Sequence, residues 1–276
     1  MRNFEIKNLP VPFPGWDRYS EKERKISLLE RWKNHKWDYF YEPEGSPRYL
    51  CGRRLVDGVE SVHFWGGQDL TQFELETLWK DVRPSGPCWI TCPAPAPRMH
   101  NVVKGLVDAG DVCEFVFDFK DMLFPTDASC SIASLKEEDF EEVSELVQKQ
   151  KIRSREQRAG FENSDNSFLN YWQKLCGLDL APVGAYRNKK LVGLLHVSKW
   201  CEKIELWNTS LCAVDPDEVN SFSIIQDMLL GLEARANRKI NSLKVGIPIE
   251  SSPALSCFMK AEPSSIWIRK IFWLEG

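Results

Sequence analysis

Residues 181–216 read APVGAYRNKKLVGLLHVSKWCEKIELWNTSLCAVDP. Two apolar runs, Pro182 to Arg187 and Leu191 to Ser198, flank the polar Asn188-Lys189-Lys190, and that order predicts a hairpin. A third run, Lys203 to Val214, predicts a long strand. Downstream, the apolar spacing of Phe222 to Lys239 predicts a long helix. Then follow a strand at Ser242 to Ile247, a short helix at Pro253 to Lys260 and a last strand at Ile266 to Leu274. Upstream, Ser131 to Ser134 reads as a strand and Leu135 to Lys149 as a helix with Phe140, Val143, Leu146 and Val147 on one side. Ser154 to Asn166 is a polar loop, and Phe168 to Cys176 a short aromatic helix.

The first half carries a looser version of the same order. Ser20 is placed to cap a helix with Ile26, Leu29 and Trp32 at helical spacing. Strands are expected at Trp37 to Tyr41, Arg48 to Leu55 and Val59 to Trp65, the last two joined around Val56-Asp57-Gly58. Leu70 to Val82 predicts an amphipathic helix with Phe73, Leu75, Leu78 and Trp79 apolar, and Pro87 to Thr91 a short strand. Met99 to Ala109 reads as a helix closed by Gly110, and Val112 to Phe119 as a strand. Residues 120–130, KDMLFPTDASC, read as the linker, so the expected domains are 1–125 and 126–276.

Composition narrows the function classes. The chain has 276 residues, 43% hydrophobic and 28% charged, enough to bury a core. A net charge of −4 gives no basic excess, so nucleic acid is not an expected partner. No apolar run reaches the length of a membrane span, and MRNFEIKNLPVPFPGW has no apolar signal core. The expectation is a soluble cytoplasmic chain. Nine scattered cysteines, an odd number, point to reduced thiols. Cys88 and Cys92 would share one face of a strand, but no further ligands stand at metal-binding spacing, so they read as packed thiols and no metal is expected. Eleven tryptophans suggest broad aromatic surfaces, which leaves room for a homodimer.

The order strand, helix, helix, hairpin, long strand, long helix, strand, short helix, strand resembles the GNAT (GCN5-related N-acetyltransferase) superfamily. Four stretches carry the resemblance: SIASLKEEDFEEVSEL at 131–146, APVGAYRNKKLVGLLHVS at 181–198, ELWNTSLCAVDP at 205–216 and SPALSCFMK at 252–260. The first half, with LTQFELETLWKDV and CWIT, is similar to the divergent N-terminal half of two-part members. The implied fold class is α/β (mixed α+β), a GNAT-like mixed sheet flanked by helices, with an N-terminal GNAT-like half. The implied co-substrate is acetyl-CoA or another acyl-CoA. Backbone groups of Leu211, Cys212, Ala213 and Val214 would pair with its pantetheine arm.

Two departures bear on the chemistry. The family's coenzyme loop is glycine-rich, because phosphates approach its backbone at a helix N-terminus. Here Asp217 to Ile225 reads DEVNSFSII, with no glycine and no arginine. Asn220, Ser221 and Ser223 can offer hydrogen bonds there, or Asn220 or Ser221 can simply cap the helix. Asp217 and Glu218 would repel phosphates. The family's tyrosine acid falls at Phe258, which has no hydroxyl, while Lys260 keeps the lysine.

Acyl transfer to an amine needs a base, and Glu205 is the first candidate, an exposed glutamate paired with Lys203 being the alternative. His196 in GLLHVSK is the second, its alternative a satisfied structural histidine. Cys212 and Ser210 would share a face with Asn208, and a nucleophilic Cys212 would need an adjacent base. Lys151 to Arg158, KIRSREQR, can draw an anionic substrate or merely face solvent. Three readings follow: an N-acyltransferase acting on a small-molecule or protein amine, a non-catalytic binding or interaction module, and a GNAT fold repurposed for another donor.

Overall fold

In a computed structural model, residues 20, 22–23, 26, 39–41, 49–56, 59–66, 70–94, 98–118, 130–149, 165–201, 206–237, 240–249, 255–256, 258–259 and 265–275 are described. In chain order the strands are β1 (Tyr39–Tyr41), β2 (Tyr49–Val56), β3 (Val59–Gly66), β4 (Cys88–Pro93), β5 (Leu106–Asp118), β6 (Ser131–Ser134), β7 (Val183–Arg187), β8 (Lys190–Cys201), β9 (Leu206–Val214), β10 (Ser242–Pro248) and β11 (Ser265–Leu274). The helices are α1 (Gln72–Val82), α2 (Met99–Val102), α3 (Phe140–Lys149), α4 (Asp165–Cys176) and α5 (Ser221–Ala236). Contacts divide the chain into unit 1, Met1–Glu114 with Trp267–Gly276, and unit 2, Phe115–Ile266. The expected linker centre at residues 125 and 126 lies outside the described residues.

Unit 1 is a mixed sheet with its helices. Strands β2 and β3 form the expected antiparallel pair with Val56 opposite Val59; Asp57-Gly58 itself lies outside the described residues. β4 runs parallel to β3 and antiparallel to β11, from Arg269 opposite Pro93 to Leu274 opposite Cys88. Thr71 caps α1: its hydroxyl accepts from the Glu74 N–H at 3.3 Å, and the Glu74 carboxylate accepts from the Thr71 N–H at 2.8 Å. The helix buries Leu75, Leu78, Trp79 and Val82, but Phe73 is 77% exposed. Cys51, Cys88 and Cys92 belong to that core, and burial pushes the Cys88 and Cys92 thiols up to about 12 each.

The sequence reading differs most at one element; smaller differences are the start of α3 at Phe140 rather than Leu135 and of α4 at Asp165, inside the expected loop. The helix predicted over Met99 to Ala109 stops at Val102, and the chain turns through Gly105 at φ 78° into β5. Val102 and Val103 are β-branched and favour extension, while the left-handed Gly105 breaks the helix five residues before the predicted stop. Gly110 is a strand residue with φ 95°.

Unit 2 is an antiparallel run β6–β7–β8–β9 to which β10 adds in parallel. The β7–β8 turn uses Asn188 (φ 52°) and Lys189 (φ 67°), the doubly left-handed geometry that suits the twist of a two-residue hairpin. One face carries α3 and α4, packed as a core of Leu135, Val143, Leu146, Trp172, Leu194 and Ala213. Each buried leucine or valine of this core contributes about 1.5–3 kcal/mol. The other face carries α5, which comes so close that a Cβ on Gly193 of β8 would meet Ile224 Cγ2 at 2.6 Å. Asn237 closes α5 in the left-handed region (φ 47°), its N–H bonded to the Glu233 carbonyl.

Candidate functional site

The middle of unit 2 holds two irregularities side by side. Strands β9 and β10 pair only from Leu206 opposite Ser242 to Asn208 opposite Lys244. Their ladder ends there, although β9 runs on to Val214 and β10 to Pro248. Next to that point, β8 advances one residue from His196 to Val197 while β9 steps from Leu211 to Thr209. Ser210 is the extra residue of a β-bulge, a feature that bends a strand and re-aims its side chains. The Tyr171 hydroxyl on α4 donates to the Ser210 carbonyl at 2.8 Å, and the Ser198 and Ser210 hydroxyls are 3.0 Å apart. Where two parallel strands part in this way, an extended, amide-bearing arm can lie between them with strand-type hydrogen bonds.

Past the edge, β9 runs into a loop built on Asp215. Asp215 is 1% exposed. Its Oδ2 accepts from Lys190 Nζ at 3.0 Å and from Lys149 Nζ at 3.1 Å. Its Oδ1 accepts from the Asp217 N–H at 3.1 Å, and its carbonyl from the Glu218 N–H at 3.0 Å. Burial pushes the carboxyl pKa up, but the bonds from Lys190, Asp217 and Lys149 outweigh it and hold the group below its ordinary value. Glu218 pairs with Arg187, and the Ser221 hydroxyl donates to the Glu218 carbonyl at 3.1 Å.

No family model matches the sequence, and no curated protein matches it either. Solved structures do. A functionally unknown conserved protein from Staphylococcus epidermidis superposes with a TM-score of 0.57 at 10% identity, over 89% of this chain and 97% of that one. A GCN5-related N-acetyltransferase from Kribbella flavida gives a TM-score of 0.56 at 7% identity, over 91% of this chain and 94% of that one. This chain has the GNAT fold. A Drosophila protein aligns as well, with a TM-score of 0.54 at 13% identity, over 82% of this chain and 74% of that one.

Within the GNAT fold the predicted site residues fall as follows. Leu211, Cys212, Ala213 and Val214 all lie on β9 beyond the end of its ladder with β10. Leu211 packs against the α3–α4 core, while Cys212, Ala213 and Val214 are buried. Asn220 precedes α5 without a side-chain cap bond, Ser221 opens the helix, and Ser223 is 2% exposed. Ser210, Cys212 and Asn208 do not share one face as simple alternation would have it. The bulge shifts the phase, so Cys212 lies opposite Leu195 while Asn208 lies opposite Ser198. Glu205, Lys203, Lys260 and Lys151 to Arg158 lie outside the described residues.

His196 is 1% exposed, and neither ring nitrogen has a hydrogen-bond partner of ordinary geometry among the described residues. Burial pushes its pKa down to about 4, with a backbone group of Leu180 pulling it partly back. At neutral pH the ring is uncharged; it can accept a hydrogen bond but binds a proton weakly. Phe258 is 1% exposed and lies 5.6 Å from Phe117 and 6.4 Å from Phe115, centroid to centroid. It fills a core position and has no proton to give.

Sequence reading missed Tyr171, Ser198, Lys149, Lys190 and the buried role of Asp215. Only the Asp-Pro after a long strand, which puts a carboxylate at a strand-to-helix turn, was a usable signal.

Proposed function

We propose that the chain is an acyl-CoA-dependent N-acyltransferase, with acetyl-CoA or a longer acyl-CoA as donor and a small-molecule or protein amine as acceptor. The observation that carries this reading is the end of the β9–β10 ladder at Asn208 and Lys244 beside the Ser210 bulge. The pantetheine arm would lie along β9 from Leu211 to Val214, past the point where β10 parts from it. Glu205 is the base of this proposal, with His196, neutral and buried beside the Ser210 bulge, as the second candidate. Free buried thiols suit a reducing, cytosolic setting.

A second reading is a GNAT-fold module that binds a ligand without turnover. Phe258, packed among Phe115 and Phe117 where the resemblance puts the acid, favours it.

Two measurements decide between them. Thermal unfolding with millimolar acetyl-CoA should shift upward, since a ligand at about 100 times its Kd adds roughly 2.7 kcal/mol. Thiol release from acetyl-CoA should follow when an amine panel is added. A thermal shift without release would leave the binding module standing, and no shift with any acyl-CoA would sink the enzyme reading.

A further inference from the structure

The loop between β9 and α5 already holds an anion, and the anion is its own. The Asp215 carboxylate collects two ammonium groups, from Lys149 and Lys190, and a backbone N–H from Asp217. Those are the donor types by which a protein grips a phosphate. Arg187, the next cation along, is paired with Glu218. Asp215 is buried beneath two half-exposed lysines. A phosphate reaching their exposed sides would meet ammonium groups whose charge is already shared with a carboxylate, and could not take the full grip while Asp215 holds it. It would have to displace a carboxylate held by three hydrogen bonds and leave it buried and unpaired, a costly exchange. Glycine offers no alternative route. The nearest strand glycines, Gly184 and Gly193, are filled against by Leu191 and Leu135 and by Ile224 and Met228, so their missing side chains serve helix and strand packing.

From this we infer that unit 2 recognises its donor by the thioester and pantetheine arm alone: Asp215 stands where a diphosphate would be gripped, and the nucleotide end of coenzyme A adds little to binding. The donor class is therefore a pantetheine thioester, with the nucleotide optional. This inference rests on the thioester reading above and narrows it.

The test uses the unmodified full chain and titration calorimetry with four probes: acetyl-CoA, acetyl-pantetheine, ADP and inorganic pyrophosphate. Acetyl-CoA and acetyl-pantetheine should bind within about threefold of one another, and neither ADP nor pyrophosphate should compete with either. Acetyl-CoA binding more than about tenfold tighter than acetyl-pantetheine, or competition by ADP or pyrophosphate, would overturn the inference while keeping the thioester reading. If neither thioester binds, the thioester reading itself falls and takes the inference with it.

Discussion

The hydroxyl of Tyr171 donates to the carbonyl of Ser210 at 2.8 Å, so helix α4 holds the bulged residue of β9. Tyr171 is 38% exposed, and water can replace its hydroxyl in part. Tyr171→Phe should therefore cost only about 0.5–1.5 kcal/mol, a midpoint change of a few degrees. If the bulge shapes the site, acyl transfer should fall several-fold in the same variant. Lower stability with unchanged kcat/KM would limit Tyr171 to packing.

Asp215→Asn removes the anion shared by Lys149 and Lys190. The lysine side chains are 42% and 61% exposed, so solvent screens much of the loss. A cost of about 1–2 kcal/mol is expected near neutral pH. The folded carboxyl is held below its ordinary 3.8, so its contribution is complete above that value and disappears as pH falls below it. The midpoint gap between wild type and Asp215→Asn should be widest at neutral pH and close in acid. A gap independent of pH would show that the ion pairs are not its source.

The His196 imidazole has the opposite chemistry and the same direction. Its pKa drops from 6.5 unfolded to about 4 folded. Between those values the unfolded chain binds the proton and the folded chain does not, so stability falls as pH drops through that window, by on the order of 3 kcal/mol at most. His196→Leu should flatten the stability profile there. An unchanged slope would place the acid sensitivity elsewhere.

Gly193 and Gly231 make a matched pair. A Cβ on Gly193 would stand 2.6 Å from the β-branch methyl of Ile224 and 3.1 Å from Met228 Cε. Gly193→Ala should cost about 1–3 kcal/mol, with partial rescue by Ile224→Leu, which removes that methyl. A Cβ on Gly231 would meet Ile132 Cγ2 at 2.7 Å, but Ile132 lies on the short strand β6 and is only partly buried. Gly231 is inside a helix, where alanine gains about 1 kcal/mol, so Gly231→Ala should be close to neutral. Denaturant midpoints of the three variants check both statements; equal losses would show that β6 gives no more easily than α5.

What the sequence made legible was whatever rested on local signals. The β7–β8 hairpin followed from polar Asn188-Lys189-Lys190 between apolar runs, and α1 from its apolar periodicity. The Met99 helix failed because Gly105, not Gly110, makes the left-handed turn. At the site, the order of elements was readable while the geometry was not. Nothing local marks Ser210 as a bulge, since it is neither glycine nor proline and the extra residue is defined only against β8. Asp217 and Glu218 drew attention as phosphate-repelling charges. The decisive carboxylate was Asp215, whose partners Lys149 and Lys190 stand 66 and 25 residues away.

Strand β11 from Trp267 onward belongs to unit 1, although all of unit 2 precedes those residues in the chain. During translation β4 therefore waits, with one edge unpartnered, while Phe115 to Ile266 leave the ribosome. The hydrophobic run Ile271-Phe272-Trp273-Leu274 is the piece it waits for, seating Trp273 opposite Trp89 and Leu274 opposite Cys88. The first unit is thus the last to be finished, and a stop codon near residue 264 would delete a strand from the sheet at the opposite end of the sequence.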